Sequence, residues 1–220
     1  FFGTLAVFAP TLDHGFVYDD SHSIVDNESL RDWRKIPSYF IDPGAFSAIP
    51  QARMYRPLLL TSYALNFTVG GSAGFHLVNI LCHALAVILL WILLRRLHLA
   101  GSDCLLVAML FAMHPLTTEP VNYISSRSSS LATLCLLAGM IALIGPVTSR
   151  RALRLAGWTL AGVLTKATGI VLVPLAGWYL LIRGQLSRWR LILGALVVAM
   201  VYVLFTRTIV VGAFAEPVRG

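Results

Sequence analysis

Residues 74–97 read GFHLVNILCHALAVILLWILLRRL. The run is apolar over most of its length and closes on Arg95 and Arg96. A helix crossing a bilayer needs about 20 predominantly apolar residues at 1.5 Å rise per residue. This segment is long enough, and it fixes the class: an all-α membrane protein. The rest of the chain agrees. Hydrophobic residues make up 57% of the 220 residues and charged residues only 12%, against roughly 25% charged in soluble domains.

Working outward, further apolar segments are expected at 57–69, 102–113 with a continuation past His114-Pro115 to 124, 129–147, 152–165, 168–183 and 189–210. Proline and glycine mark most of the joints. The net charge of +7 does not point to nucleic acid, because the basic residues fall in tight groups between apolar segments. Those groups are Arg95 and Arg96, then Arg150, Arg151 and Arg154, then Arg183, Arg188 and Arg190. Cytoplasmic loops carry the excess of Lys and Arg. Placing each group inside makes every connection alternate, and it puts loop 11–55 outside with His114, Glu119, Arg127 and Lys166. The last helix then emerges near Glu216. Expected localisation is therefore integral and multi-pass, in a bacterial inner membrane or the endoplasmic reticulum, with an extracytoplasmic active face. Phe1–Pro10 is too short to span, and the chain is expected to be an N-terminal fragment: one incomplete transmembrane domain over 1–220, with 11–55 as its first external loop.

Carboxylates are concentrated in that loop. Of the 10 acidic residues, Asp13, Asp19, Asp20, Asp26, Glu28, Asp32 and Asp42 lie there, and only Asp103, Glu119 and Glu216 follow. Asp19 and Asp20 are adjacent, so in an extended segment they point to opposite sides. One can face a substrate as general base while the other holds the loop or an ion. Arg56 precedes Pro57, which suits the first turn of a helix, so its guanidinium and free backbone N–H groups can meet an anion. Arg127 opens a helix among serines, and Lys166 joins two short helices. Tyr55, His114 and Glu119 are supporting candidates. Charged residues at membrane depth usually line a cavity, so these groups are expected to share one outward pocket. A divalent cation held by Asp19, Asp20 and His22 is conceivable, with no cofactor otherwise indicated. His76 and His83 share a helix face but lack a third ligand. Cys82, Cys104 and Cys135 have neither disulfide nor zinc spacing. Asn66-Phe67-Thr68 matches the glycosylation pattern.

The ordered set resembles the GT-C superfamily of integral-membrane glycosyltransferases. It is most similar to the transmembrane O-mannosyltransferases that modify cadherins and to their bacterial relatives with tetratricopeptide repeats. The residues carrying the resemblance are Phe16-Val17-Tyr18-Asp19-Asp20 with Asp26-Asn27, Tyr55-Arg56-Pro57-Leu58, and His76-Leu77-Val78-Asn79 with His83. His114-Pro115, Thr118-Glu119-Pro120-Val121, Ser126-Arg127 and Leu164-Thr165-Lys166 complete the set. The resemblance implies a GT-C-like multi-helix bundle with an acidic first external loop. It implies transfer of a sugar, mannose or a similar hexose, from a polyprenyl-phosphate donor in the membrane lipid to a hydroxyl acceptor such as protein Ser/Thr. Asp19 or Asp20, with Asp19 preferred, would act as base; Arg56, Arg127 and Lys166 would hold the phosphate. Relatives often carry an acid where Ser129 and Ala167 stand here. Two other readings use the same residues: a transporter or flippase for a lipid-linked or anionic solute, and a catalytically weakened scaffold of GT-C ancestry.

Overall fold

A computed structural model describes residues 2–68, 70–146 and 148–215. Among them the chain is helical without strands. A short first helix, α1 (Phe2–Phe8), leads through a 3-10 turn into the acidic region. Helices α2 (Pro57–Phe67) and α3 (Ser72–Arg96) follow, then α4 (Gly101–Met113), the single-turn α5 (Thr118–Asn122) and α6 (Arg127–Leu143). The chain closes with α7 (Ser149–Thr165), α8 (Leu172–Ile182) and α9 (Arg190–Ala215). Three segments are long and apolar enough to cross a membrane: Ser72–Arg96, Ile124–Leu143 and Arg190–Thr208. A fourth arises if α4 and the following segment, bent by 57° at His114, count as one broken span. This is an all-α membrane protein. Residue Val69 and the expected helix end near Glu216 lie outside the described residues.

Two apolar cores organise the bundle. One packs α6, α7, α8 and α9 through Leu137, Met140, Leu155, Leu172, Ala176 and Leu191. The other lies under the acidic region and joins Ile24, Leu30, Tyr39 and Phe46 to Leu59, Tyr63 and Phe75 of α2 and α3. The segment expected as a loop at 11–55 is thus a folded cap with its own buried interior. It is built from consecutive 3-10 and π turns.

Its acidic and amide residues explain those turns. Asn27, Asp32 and Asp42 each stand in extended backbone just before a turn and accept a hydrogen bond from the N–H two residues on, at 3.0, 3.0 and 2.7 Å. Short polar side chains at such positions satisfy the orphan donors of a helical turn. The Asn27 amide also donates to the carbonyls of Ala45 and Phe46. Part of the carboxylate density in this region is therefore capping.

At the other end of the sequence, α7 turns back through Lys166 into a 3-10 segment, Ala167–Val171. Gly162 and Gly169 make that reversal possible. A Cβ on Gly169 would overlap the Gly162 carbonyl, so only two glycines allow the backbones to touch. The Lys166 N–H donates to Gly162 O at 2.9 Å, and the Gly169 N–H to Lys166 O at 2.8 Å. Lys166 is held at the apex of a rigid turn.

Candidate active site

The folded cap and the α6 and α7 ends enclose a chamber of about 390 Å³. Asp19, Arg56, Glu119 and Lys166 all line it, with His22, Tyr123 and the hydroxyls of Ser125, Ser128 and Ser129. Four residues picked out from sequence, spread over nearly 150 positions, therefore meet in one cavity.

Asp19 is the open carboxylate. Its side chain is 67% exposed, and its Oδ1 lies 3.5 Å from His22 Nε2. Nδ1 of His22 is in turn 2.9 Å from Ser47 Oγ. Among the described residues this His–Asp contact is the one approach of a basic to an acidic side chain within 4 Å. Tyr123 Oη accepts from the Asp19 N–H at 3.2 Å, and Ser23 Oγ donates to Asp19 O. Tyr18, with φ of 49°, stands edge-on to Tyr123. A bulky residue in the left-handed region is strained, and such strain persists only where the surroundings enforce it. Of the two aspartates that follow it, Asp19 lines the chamber and Asp20 is buried.

Asp20 faces inward. It is fully buried and accepts from the Ser125 N–H at 2.9 Å, from Ser125 Oγ at 2.5 Å and from the Val17 N–H at 3.1 Å. It fastens the cap to the start of α6. Since Asp20 points away from Asp19 and His22, the three do not converge as a cation site. Among the described residues no group of three His, Cys, Asp or Glu side chains comes together.

The two cations of the chamber are bound only weakly. Arg56 Nη1 donates to Ser128 Oγ at 3.4 Å, and its guanidinium lies over the Phe46 ring, 5.6 Å from the centroid. Burial lowers its pKa, offset by Tyr63 and Tyr202. Lys166 Nζ donates to Ser129 Oγ at 2.8 Å. Burial, then repulsion by Arg56, pushes its ammonium below the ordinary lysine range, with Glu119 opposing. Glu119 itself accepts from Ser126 Oγ.

Arg127 does not reach the chamber, contrary to expectation. It is fully buried. Nε donates to Asn79 Oδ1 at 2.7 Å, and Nη2 to Asn66 Oδ1 at 2.8 Å and to Phe75 O at 2.9 Å. The Tyr63 and Phe75 rings flank it at 4.9 and 5.1 Å. Every direction of its fork is occupied by protein, so it serves to join α2, α3 and α6. His114 is corrected as well: it is exposed at the α4 break, where Nδ1 accepts from the Leu116 N–H. Asn66, in the glycosylation pattern, is likewise buried against Arg127. The three cysteines are free.

Past Arg56 and Lys166 the chamber gives onto a groove of about 670 Å³, lined also by Tyr55, Ile170, Tyr202 and Val203 and by two further arginines, Arg53 and Arg207. Tyr55 and Tyr202 further line an apolar trough of about 430 Å³ with Leu160, Leu164, Val201 and Phe205. Tyr55 therefore belongs to the groove, and its hydroxyl donates to Phe40 O at 3.0 Å. Sequence reasoning missed Tyr202 and Phe205, which α9 brings against Tyr55; nothing local signals a contact across 150 residues. His22, expected as a cation ligand, instead meets Asp19, three positions away on the same side of a helical turn.

No family model matches the chain, and no solved structure matches it. Curated proteins do. The chain is 33% identical over 160 residues to the protein O-mannosyl-transferase TMTC4 of Homo sapiens, covering 63% of this chain and 22% of that protein. It is 30% identical over 213 residues to the protein O-mannosyl-transferase Tmtc2 of Drosophila melanogaster, covering 86% of this chain and 23% of the relative. Tmtc3 of the same organism matches at 30% over 196 residues, 72% of this chain and 21% of the relative. The chain thus spans about a fifth of the length of the curated relatives it matches. On these matches, this chain is related to the TMTC protein O-mannosyl-transferases.

Proposed function

We propose that this chain carries the active site of an O-mannosyltransferase, which moves mannose from a polyprenyl-phosphate donor to a hydroxyl group of a protein Ser or Thr. The observation that carries the reading is a single continuity. Asp19 shares a chamber with Arg56 and Lys166, and the same two cations line the greasy groove next to it. A donor with a charged phosphate between a sugar and an isoprenoid needs that order of surfaces. In this reading residues 1–220 form one membrane domain, with 11–55 as its extracytoplasmic cap.

The division of labour follows from the chemistry of each bond. The Asp19 carboxylate takes the acceptor hydroxyl proton, and His22 holds that carboxylate in place. The freed oxygen attacks the anomeric carbon. The bond from that carbon to the phosphate oxygen breaks, and its electron pair leaves on the polyprenyl phosphate. A phosphate leaving group needs charge neutralisation more than a proton. Preorganised cations in a poorly hydrated site supply it, and Arg56 and Lys166 are held there by neutral hydroxyls that a phosphate oxygen readily replaces. Tyr55, Tyr202 and Ile170 would receive the first isoprene units.

The test is transfer of labelled mannose from polyprenyl phosphate in membranes carrying the full chain. Asp19→Asn is expected to lower transfer by about 10²–10⁴-fold, the usual contribution of a positioned base. Transfer by Asp19→Asn equal to the parent would end the assignment.

A further inference from the structure

At the end of α6 remote from the chamber, arginines from three different elements converge on one set of backbone carbonyls. Arg96 of α3 donates to Ile141 O at 3.4 Å. Arg151 of α7 donates to Ala142 O at 3.4 Å and to Ile144 O. Arg188, between α8 and α9, donates to Gly145 O at 3.2 Å. Basic side chains commonly satisfy the last carbonyls of a helix. A helix C-terminus carries only about half a negative charge, however, so three guanidinium groups exceed it roughly sixfold.

The excess is reinforced rather than offset. Arg95, Arg150, Arg154, Arg183 and Arg190 lie within about five residues of the inner three along the chain and are exposed. Among the described residues none of these arginines lies within 4 Å of a carboxylate. Arg150 and Arg154 are four apart on α7, where like charges repel. Their surroundings are those of a membrane boundary. Arg95 and Arg96 end one apolar span and Arg190 begins another. The exposed indole of Trp189 lies between Arg188 and Arg190, and tryptophan favours the headgroup level of a bilayer.

We infer that this basic end of the bundle is a binding site for the phosphate headgroups of anionic membrane lipids. The inner arginines close the α6 terminus, and the outer ring, Arg150, Arg154 and Arg190 above all, takes the lipid phosphates. A topology bias accounts for cations lying at one end, but not for their convergence around residues 141–145. Lipid is favoured over a soluble anion because the cations stand at the ends of apolar spans, where acyl chains can lie against exposed Leu153 and Leu186 while the phosphate meets the arginines.

The full chain, purified in neutral detergent, is offered equimolar phosphatidylglycerol and phosphatidylcholine, and retained lipid is measured by native mass spectrometry. Each surface cation contributes about a fivefold preference for anionic lipid, so the parent should retain the glycerol lipid about tenfold or more over choline. The triple variant R150Q/R154Q/R190Q should lower that preference by about tenfold or more, with Arg95 and Arg183 keeping a remainder. The matched variant R150K/R154K/R190K keeps the charge and should keep most of the preference, which separates lost charge from lost fold. Equal retention of both lipids by the parent, or loss of preference in the lysine variant, would overturn the proposal. So would displacement of the lipid by an equal concentration of inorganic phosphate, which would make this a soluble-anion site.

Discussion

The two ends of α6 use the same residue type in opposite ways. At its start, Arg127 is enclosed by two side-chain amides, two backbone carbonyls and two aromatic rings. Nearby, Arg56 and Lys166 donate hydrogen bonds only to serine hydroxyls. At the far end, Arg96, Arg151 and Arg188 hold the terminal carbonyls. What a cation can do therefore depends on how fully its donors are already used. Arg127 has nothing left to offer a phosphate, whereas Arg56 and Lys166 can exchange a weak neutral partner for a charged one.

The aspartate pair tests the same distinction among acids, with the largest expected effect. Asp19→Asn should lose about 10²–10⁴-fold in transfer with little change in folding. Asp20→Asn should instead lower stability by about 1–3 kcal/mol, because buried donors of Ser125 and Val17 lose a charged acceptor. Thermal unfolding beside the transfer assay separates them. A reversed result, with Asp20 governing rate and Asp19 governing stability, would break the comparison.

Arg127 comes next. Arg127→Met leaves the oxygens of Asn79, Asn66 and Phe75 without their donor, and each buried acceptor left unsatisfied costs about 1–3 kcal/mol. Arg127→Lys should recover little of it, since one ammonium cannot reproduce a fork with donors in several directions. Arg56→Ala should leave folding nearly unchanged but raise donor KM about 10- to 100-fold, the value of a charge-assisted hydrogen bond of about 1.5–3 kcal/mol. If Arg127→Met folds as well as Arg56→Ala, the distinction between enclosed and available cations fails.

Such a distinction was beyond the reach of the sequence. A membrane fold was legible in residues 74–97 because length and apolarity suffice there. So was the shared chamber of Asp19, Arg56, Glu119 and Lys166, because charge placement constrains which helix ends lie together. Arg127 was not legible. A basic residue among serines at a helix start looks like an anion site, and only three-dimensional packing brings Asn66 and Asn79 to it across 61 and 48 residues. The crowded acids of 11–55 misled for a related reason. Asp32 and Asp42 cap turns and Asp20 pins Ser125, so the local count of carboxylates overstated how many face the chamber. The apolar groove was missed because α9 supplies Tyr202 from the far end of the chain.

Lys166 allows a finer test through pH. Burial and Arg56 hold its pKa below the ordinary lysine range. As pH rises through that lowered value the ammonium is lost, so donor affinity should fall at a pH where free lysine is still charged. A bound phosphate pulls the pKa back up, and saturating donor should move the alkaline limb to higher pH. Lys166→Arg keeps its charge and should abolish that limb. A limb unchanged in Lys166→Arg would assign it to another group.

Ser129 gives the smallest effect and the sharpest question. Its hydroxyl accepts from Lys166 at 2.8 Å, at a position where the resemblance drawn from the sequence implies an acid. Ser129→Asp would place a carboxylate on the ammonium, raise the lysine pKa and compete with the donor phosphate. A partly exposed ion pair of this kind contributes about 0.2–1 kcal/mol, so donor KM should rise by at most about fivefold while the alkaline limb moves up in pH. Both shifts together would mean that the neutral serine leaves the lysine free for phosphate. Tighter donor binding in Ser129→Asp would mean that Lys166 works better as half of an ion pair. The rule drawn from the two ends of α6 would then hold for arginines but not for this lysine.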